Sequence, residues 1–117
     1  MSRRRSGALA RAGDAAPVFA ALGDPTRLRI VARLSDGGPA SIARLTAGTG
    51  VTRQAVSKHL RALSNADLVR CTRQGREQIY ELAPRRLAAA RQCLEQISRE
   101  WDAALGRLKA MVEPQGD

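Results

Sequence analysis

Two short amphipathic segments separated by a glycine turn constrain this fold more than any other feature of the sequence. Ser41 suits the N-cap of a short helix whose buried side would carry Ile42 and Leu45. The Gly-Thr-Gly turn at residues 48–50 ends that helix. The pattern predicts a helix too short to be stable alone, so it must pack across a neighbour.

The second amphipathic segment is predicted to be a helix from Arg53 to about Asn65, with Thr52 as its N-cap. Val56, Leu60 and Leu63 are spaced i, i+4, i+7 and form one buried stripe. The polar and basic side chains lie mainly on the other faces, where a partner can reach them: Arg53, Gln54, Ser57, Lys58 and Arg61.

A β-hairpin is predicted directly after this helix. Residues 68–73 and 77–82 contain β-branched and aromatic side chains on either side of a turn at 74–76 that includes Gly75. Arg73 and Arg76 flank the tip of the hairpin. The tip therefore presents two guanidinium groups to solvent or to an anionic partner.

The segments before this unit predict a basic arm and two helices. Residues 1–13 show no apolar period and are predicted to be a flexible basic arm. Asp14 is placed as the N-cap of a helix from Ala15 to Leu22, and Asp24-Pro25 starts a second helix over residues 26–35. The apolar side of the first helix carries Val18, Phe19 and Leu22.

Pro84 is predicted to start a long final helix that ends near residue 112, with a frayed tail at 113–117. Its apolar residues step by three or four positions: Leu87, Ala90, Leu94, Ile97, Trp101, Leu105, Leu108 and Val112. This stripe needs burial, against the first helix of the same chain, against a second copy, or both. We predict a homodimer interface formed by Val18, Phe19, Leu22, Leu94, Ile97, Trp101, Leu105 and Leu108.

The predicted fold is mainly α with a small β-hairpin, in the order α-α-α-α-β-β-α. Residues 14–112 form one winged helix-turn-helix domain, in which residues 84–112 are the dimerisation helix. Two short helices joined by a tight turn leave the second helix free to enter the DNA major groove. That groove is about 12 Å wide, which matches the diameter of a helix.

The basic residues are concentrated where this fold would meet DNA. The formal net charge is +9, from 20 Lys and Arg against 11 Asp and Glu. Residues 53–76 hold six basic side chains against the single acid Asp67, and the first fourteen residues hold four against Asp14. A surplus caused only by arginine-rich codon usage would be spread along the chain. The concentration therefore favours a nucleic-acid partner.

Four stretches, in this order, resemble the ArsR (arsenic-repressor-like) family. They are Gly-Asp-Pro-Thr-Arg-Leu-Arg-Ile at 23–30, Thr-Arg-Gln-Ala-Val-Ser-Lys-His-Leu-Arg-Ala-Leu at 52–63, Ala-Asp-Leu-Val at 66–69, and Gly75-Arg76 leading to Tyr80-Glu81-Leu82. The resemblance implies a dimeric winged helix-turn-helix regulator, usually a repressor, with 53–65 as recognition helix and 69–82 as wing. Asp67 stands where the family usually has Gly, and Asp tolerates left-handed backbone better than most residues.

Many members of the family sense metal ions, so the resemblance raises the question whether this protein does. Residues 41–45 lack the Cys-x-Cys that one family metal site uses in this helix, and no His follows His59 for the site on the last helix. We therefore expect no metal and no cofactor. Cys71 and Cys93 form no CxxC motif. They are interpreted as small apolar residues, and the alternative is a redox switch formed by the two cysteines.

The predicted DNA contacts are Arg53, Gln54, Ser57, Lys58, His59, Arg61, Arg73 and Arg76. His59 matches the family's histidine, and its role is left open between structure and phosphate contact. Arg3, Arg4 and Arg5 either add non-specific attraction to DNA or are idle.

The sequence thus predicts a homodimeric repressor that binds double-stranded DNA at an operator near its own promoter, and it leaves open whether a small-molecule effector exists. The alternative is a protein-interaction module that uses the long last helix and has only non-specific DNA affinity. No enzyme is expected, since no catalytic constellation is visible. With no apolar segment long enough for a membrane span or a signal sequence, the cytoplasm is the expected compartment.

Overall fold

Five helices and three short strands build the fold in the computed structural model, which describes residues 7–113 and the side chains of residues 13–113. The elements are α1 (Gly7–Leu22), α2 (Pro25–Gly37), β1 (Ala40–Ser41), α3 (Ile42–Thr49), α4 (Arg53–Asn65), β2 (Val69–Gln74), β3 (Glu77–Leu82) and α5 (Pro84–Val112). The predicted order of helices and hairpin strands is confirmed. The two-residue strand β1 is an addition that the sequence did not predict.

Helix α1 begins earlier than the sequence predicted. It starts at Gly7 instead of Ala15, so Asp14 lies inside the helix and does not cap it. The predicted flexible arm over residues 1–13 was therefore wrong for residues 7–13, and residues 1–6 lie outside the described part. The physical reason is that the three alanines between residues 8 and 12 favour helix strongly, although they carry no apolar period.

The caps of the next three helices agree with the sequence. Asp24 accepts hydrogen bonds from the backbone N–H groups of Thr26 and Arg27 at 2.9 and 3.1 Å. Ser41 caps α3 through the backbone N–H of Arg44, and Thr52 caps α4 through that of Ala55. These caps satisfy N–H groups that the first turn leaves without a partner, and they fix where each helix begins.

The three strands form one antiparallel sheet in the order β1-β3-β2. Val69 pairs with Leu82 at the base of the β2–β3 hairpin, and Gln74 pairs with Glu77 at its tip. Gly75 turns the chain there with φ of 63°, a left-handed value that costs a glycine little. Strand β1 adds the pairs Ala40–Tyr80 and Ser41–Ile79, which tie the start of α3 to the wing.

The core lies where α1, α2, α3 and α4 meet the base of the hairpin and the first turns of α5. The predicted stripe of α4, Val56, Leu60 and Leu63, is completely buried there. The other completely or almost completely buried large side chains are Val18, Ile30, Leu45, Leu68 and Cys93. Burial of the α4 stripe leaves the opposite face of that helix in solvent.

Helix α5 leaves this core after its first third. Ala90 and Cys93 are its buried residues, whereas its later apolar side chains are exposed along one stripe, including Trp101 at 64% and Leu108 at 56%. Among residues 7–113, no helix combines the length and the apolar character that crossing a membrane requires.

Truncation of the buried α4 stripe tests this description of the core. Leu60→Ala removes a completely buried side chain, so we expect a loss of about 2–5 kcal/mol in the free energy of unfolding, measured by urea denaturation. Asp102→Ala, at an exposed position on α5, is the control and should change the stability by less than about 0.5 kcal/mol. Equal effects of the two substitutions would contradict the assignment of the core.

Candidate nucleic-acid interface

The exposed face of α4 carries most of the predicted DNA contacts. Arg53, Gln54, Lys58 and Arg61 are exposed, and Ser57 is half-buried beside them. With Thr52, these five residues line one open groove along the helix. Their side chains are thus gathered on one surface, as the periodicity of the sequence predicted.

The wing brings two further arginines to the N-terminal end of α4. Arg73 and Arg76 line a cleft of about 220 Å³ together with Arg53 and the first residues of α3. Glu77 and Gln78 complete its wall on the wing side. Three guanidinium groups from two separate elements therefore surround one small cleft, an arrangement that suits a phosphate oxyanion.

His59 differs from the other predicted contacts because its side chain is directed away from the open face. Its Nδ1 accepts a hydrogen bond from Nη1 of Arg27 at 3.3 Å and lies 3.8 Å from Oδ2 of Asp24. An arginine can only donate, so Nδ1 accepts in this contact when the imidazole is neutral, whereas Nδ1–H of a protonated ring faces the carboxylate of Asp24. These partners favour the structural alternative for His59 over a contact with DNA.

Arg27 joins three elements at this point. Its Nε donates to the carbonyl oxygen of Ala21, and its Nη2 donates to that of Ala20 at 3.5 Å. Those carbonyls belong to the last turn of α1, whose final carbonyl groups have no N–H partner within the helix. The carbonyl oxygen of Ala20 also accepts from the backbone N–H of Gly23 at 3.3 Å. Arg27 therefore connects the end of α1 and the start of α2 to the recognition segment α4 through His59.

Asp24 completes this junction as an ionised carboxylate. The hydrogen bond from the backbone N–H of Arg27 lowers the pKa of Asp24 most strongly. Partial desolvation is the next-largest effect and raises the pKa, whereas the N–H of Thr26 and the charges of His59 and Arg27 lower it further. The sequence analysis assigned Asp24 only a capping role. A signal for the junction was present in the sequence: the Asp-Pro-Thr-Arg run at 24–27 and His59 both lie in stretches that resemble the ArsR family.

The wing also contains the exposed thiol of Cys71, which is paired across the strands with Tyr80. Burial raises the pKa of the Tyr80 hydroxyl, and a hydrogen bond with Cys71 raises it further. Cys93 is buried in the core, as expected for a small apolar residue. Among residues 13–113, no three His, Cys, Asp or Glu side chains are grouped so that they could hold a metal ion.

The predicted dimerisation residues fall into two groups. Val18 is completely buried within its own chain, so its prediction as a contact with a second copy was wrong; helix α5 already covers that side of α1. The exposed members are Phe19, Leu94, Ile97, Trp101, Leu105 and Leu108, and Leu22 is half-buried against the core. The exposed group lies along one stripe of α5 and the adjoining side of α1.

A short helix packed across a second helix with an open basic face, followed by a basic hairpin, defines a winged helix-turn-helix DNA-binding domain. Helix α4 is its recognition helix and β2–β3 is its wing. Arg3, Arg4 and Arg5, the other basic group noted in the sequence, lie outside the described residues.

Comparison with known proteins also identifies a helix-turn-helix protein. Residues 22–72 match the family model of a helix-turn-helix domain. The chain is 39% identical over 97 residues to the HTH-type transcriptional regulator Rv2034 of Mycobacterium tuberculosis, covering 83% of this chain and 87% of that relative.

Two solved structures are similar over most of the chain. An ArsR-like transcriptional regulator from Rhodococcus sp. RHA1 is 37% identical, with a TM-score of 0.73 and coverage of 88% of this chain and 96% of that one. A homodimeric winged helix-turn-helix DNA-binding domain from Mycobacterium bovis, a possible ArsR-family transcriptional regulator, is 28% identical, with a TM-score of 0.62 and coverage of 86% and 91%. The chain belongs to the ArsR family of winged helix-turn-helix transcriptional regulators.

The lowered pKa of Asp24 predicts a pH dependence of stability. A carboxyl group with a lower pKa in the folded chain stabilises the fold above its unfolded pKa of about 3.9, and this stabilisation is lost as the pH falls through the folded pKa. Asp24→Asn keeps a capping side chain but removes the charge. We expect it to be less stable than the wild type at about pH 5, and the difference to shrink below about pH 4.

Urea unfolding of both proteins across this pH range measures the effect. Asp102→Asn is the control, because Asp102 is exposed and has no ion pair or hydrogen bond among the described residues. A stability difference for Asp24→Asn that stays constant from about pH 5 to about pH 3 would contradict the assigned role of the carboxylate.

Proposed function

We propose that this protein is a homodimeric repressor that binds a pseudo-palindromic operator near its own promoter. The observation that carries the proposal is the open polar and basic face of α4, continued by the arginines of the wing on one surface. Such a surface fits the major groove and the adjoining phosphates. Because its ligand is chromosomal DNA, the protein acts in the cytoplasm, and we propose no enzymatic activity for it.

The exposed residues of α4 divide by chemistry into base-reading and phosphate-binding side chains. Gln54 suits the edge of adenine, and Arg53 or Lys58 suits that of guanine. Ser57 can contact either a base or a phosphate, and so can Arg53, which shares the small cleft with Arg73 and Arg76. Arg61, Arg73 and Arg76 are assigned to the phosphate backbone, where they fix register without reading sequence. His59 acts through Arg27 and Asp24 on the position of α4.

The exposed apolar stripe of α5 supports a dimer. Isolated apolar side chains on a surface are ordinary, but a stripe from Leu94 to Leu108 that includes a tryptophan is a surface that a partner covers. A second copy is the natural partner because the similar domain from Mycobacterium bovis is homodimeric. Two recognition helices related by a twofold axis then meet half-sites about 34–36 Å apart. Bound there, the dimer would repress by excluding RNA polymerase from the promoter.

The length of α5 also favours a second candidate, in which its stripe binds a different protein and DNA affinity is only non-specific. The two candidates differ in sequence preference and in the state of the purified protein. If the purified protein is a homodimer that strongly prefers its operator, the repressor hypothesis is supported. A monomer that binds all duplexes equally supports the interaction module.

The first test is fluorescence anisotropy with the DNA upstream of the gene for this protein and a scrambled duplex of equal length. We expect the upstream DNA to bind about a thousandfold more tightly, with an affinity that falls steeply as salt increases. Equal binding to both duplexes would contradict regulation at its own promoter.

In the same assay, paired variants separate base readout from phosphate contact. Gln54→Ala should weaken binding to the operator by about 1–3 kcal/mol and relax the preference at one base pair. Arg73→Ala should weaken all duplexes alike and reduce the salt slope by about 1. Arg107→Ala, at an exposed position on α5, is the control for the loss of one positive charge. The assignment of α4 and the wing fails if all three variants behave alike.

The dimer interface is tested with a charged side chain in the stripe. Trp101→Asp leaves the intrachain core intact, because Trp101 is 64% exposed, but it places a carboxylate in the proposed interface. Sedimentation should show a monomer, with operator affinity reduced at least tenfold. Ala103→Asp, on the opposite side of the helix, should remain dimeric. A dimer in both variants would exclude this stripe as the interface.

A further inference from the structure

A second basic cleft lies at the base of the wing, on a part of the molecule that the proposed DNA contacts do not use. Its volume is about 870 Å³, and it is bounded by α1, by the turn after α4, by the start of β2 and by the first turns of α5. Three guanidinium groups line it: Arg70, Arg85 and Arg86. We propose that this cleft binds a small oxyanion, a metabolite with phosphate or carboxylate groups, as the effector of the regulator.

The three arginines are available to such a ligand. Arg86 lies 3.5 Å from Oδ2 of Asp67, and Arg70 lies 3.8 Å from Oε1 of Glu81, in pairs whose side chains are largely exposed. Exposed pairs of this kind contribute little to stability, so a ligand can replace either acid at small cost. Arg85 has no acidic partner among the side chains of residues 13–113.

The ligand class follows from the shape and charge of the cleft. Guanidinium groups bind phosphate and carboxylate oxygens in bidentate geometry, so three of them can bind a ligand that carries more than one pair of anionic oxygens. Asp14 and Asp67 also line the cleft, which disfavours a large polyanion and favours a small one that is held between the arginines. Ala83 at the start of α5 has no side chain that could cap the helix and compete for the same space.

The cleft stays open when the stripe of α5 is covered. Successive residues of a helix are rotated by about 100°, so Arg85 and Ala89 lie far around α5 from Leu94 and Trp101. Arg86 lies on the same side of α5 as Ile97 but three turns, about 16 Å, before it along the helix. A dimer formed through the stripe from Leu94 to Leu108 therefore leaves Arg70 and Arg85 accessible to a small solute, with Arg86 beyond the N-terminal end of the stripe.

The cleft is also separate from the DNA-facing end of the wing. Its strand residues, Val69 and Arg70, lie at the base of the hairpin, whereas Arg73 and Arg76 lie near the tip. Arg70 and Arg73 are three residues apart, about 10 Å along β2, and side chains an odd number of residues apart point to opposite faces of a sheet. An anion at the base therefore does not occupy the surface assigned to phosphates of DNA.

Binding in the cleft would be coupled to the recognition helix through Asp67. This residue makes the turn out of α4 with φ of 59°, the left-handed conformation that its position requires. Its ion pair with Arg86 links that turn to α5, and the backbone N–H of Ala83 donates to the carbonyl oxygen of Leu68 beside it. A ligand that takes Arg86 from Asp67 releases one link between α4 and α5. This coupling rests on the dimer proposed above. In that dimer, the ion pair between Arg86 and Asp67 helps to set the spacing of the two recognition helices.

The test uses the full-length protein without DNA and two probes, pyrophosphate and citrate, at constant ionic strength in isothermal titration calorimetry. We expect saturable binding of at least one probe with one site per chain, and the stronger probe assigns the ligand to phosphates or to carboxylates. Arg85→Gln should weaken it at least tenfold. Arg107→Gln, which removes the same charge from an exposed site elsewhere on α5, should leave it unchanged. Absence of saturable binding, or equal loss in both variants, would overturn the proposal.

Operator binding by the same variants separates this proposal from the proposed function. The probe that binds should change the operator affinity of the wild type at least fivefold at matched ionic strength, and Arg85→Gln should abolish that change while keeping the affinity without probe. If Arg85→Gln lowers operator affinity without any probe, the cleft contacts the DNA backbone and the effector site is refuted. If no operator preference exists at all, the proposed function fails, whereas the anion site is still judged by calorimetry.

Discussion

Burial of Val56, Leu60 and Leu63 holds α4 against the core of the domain. These side chains fix the rotation of α4 about its own axis, because turning the helix would expose apolar surface and bury charged groups. Once the stripe faces the core, Arg53, Gln54 and Lys58 necessarily face solvent. The hydrophobic effect thus positions a polar surface that makes no contribution to the core itself.

The junction of Asp24, Arg27 and His59 adds directional contacts to this non-directional burial. Asp24 fixes the first turn of α2, and Arg27 reaches both the last carbonyls of α1 and the imidazole on α4. Three helices that meet through apolar packing alone could slide relative to one another with little change in buried area. Hydrogen bonds of fixed geometry remove that freedom. The position of the recognition helix is therefore coupled to α1, which adjoins the exposed stripe.

Charge and apolar surface are distributed so that the molecule has separate faces. Basic side chains of α4 and of the wing lie on one surface, and the apolar stripe of α5 lies on another. The arginines at the base of the wing lie on a third side, next to the turn that leaves α4. Asp67 in that turn replaces the glycine usual in the family and supplies a carboxylate for Arg86, which a glycine could not do.

The amino-acid sequence alone predicted the order of the elements, the limits of α4 and the identity of its exposed face. Those features depend on local signals, such as the caps Asp24, Ser41 and Thr52 and the period of the buried stripe. It failed where the signal was weak or absent: α1 begins at Gly7 because alanine favours helix without apolar periodicity, and β1 is too short to show a strand pattern.

The packing of the folded chain settles which residues of different elements meet. It assigned Val18 to the core instead of an interface, directed His59 toward Arg27, and brought Arg53 beside Arg73 and Arg76. It also gathered Arg70, Arg85 and Arg86 into one cleft. These contacts join residues of different elements. A periodic pattern shows which face of a helix is buried, but it does not show which other element that face or its edges will contact.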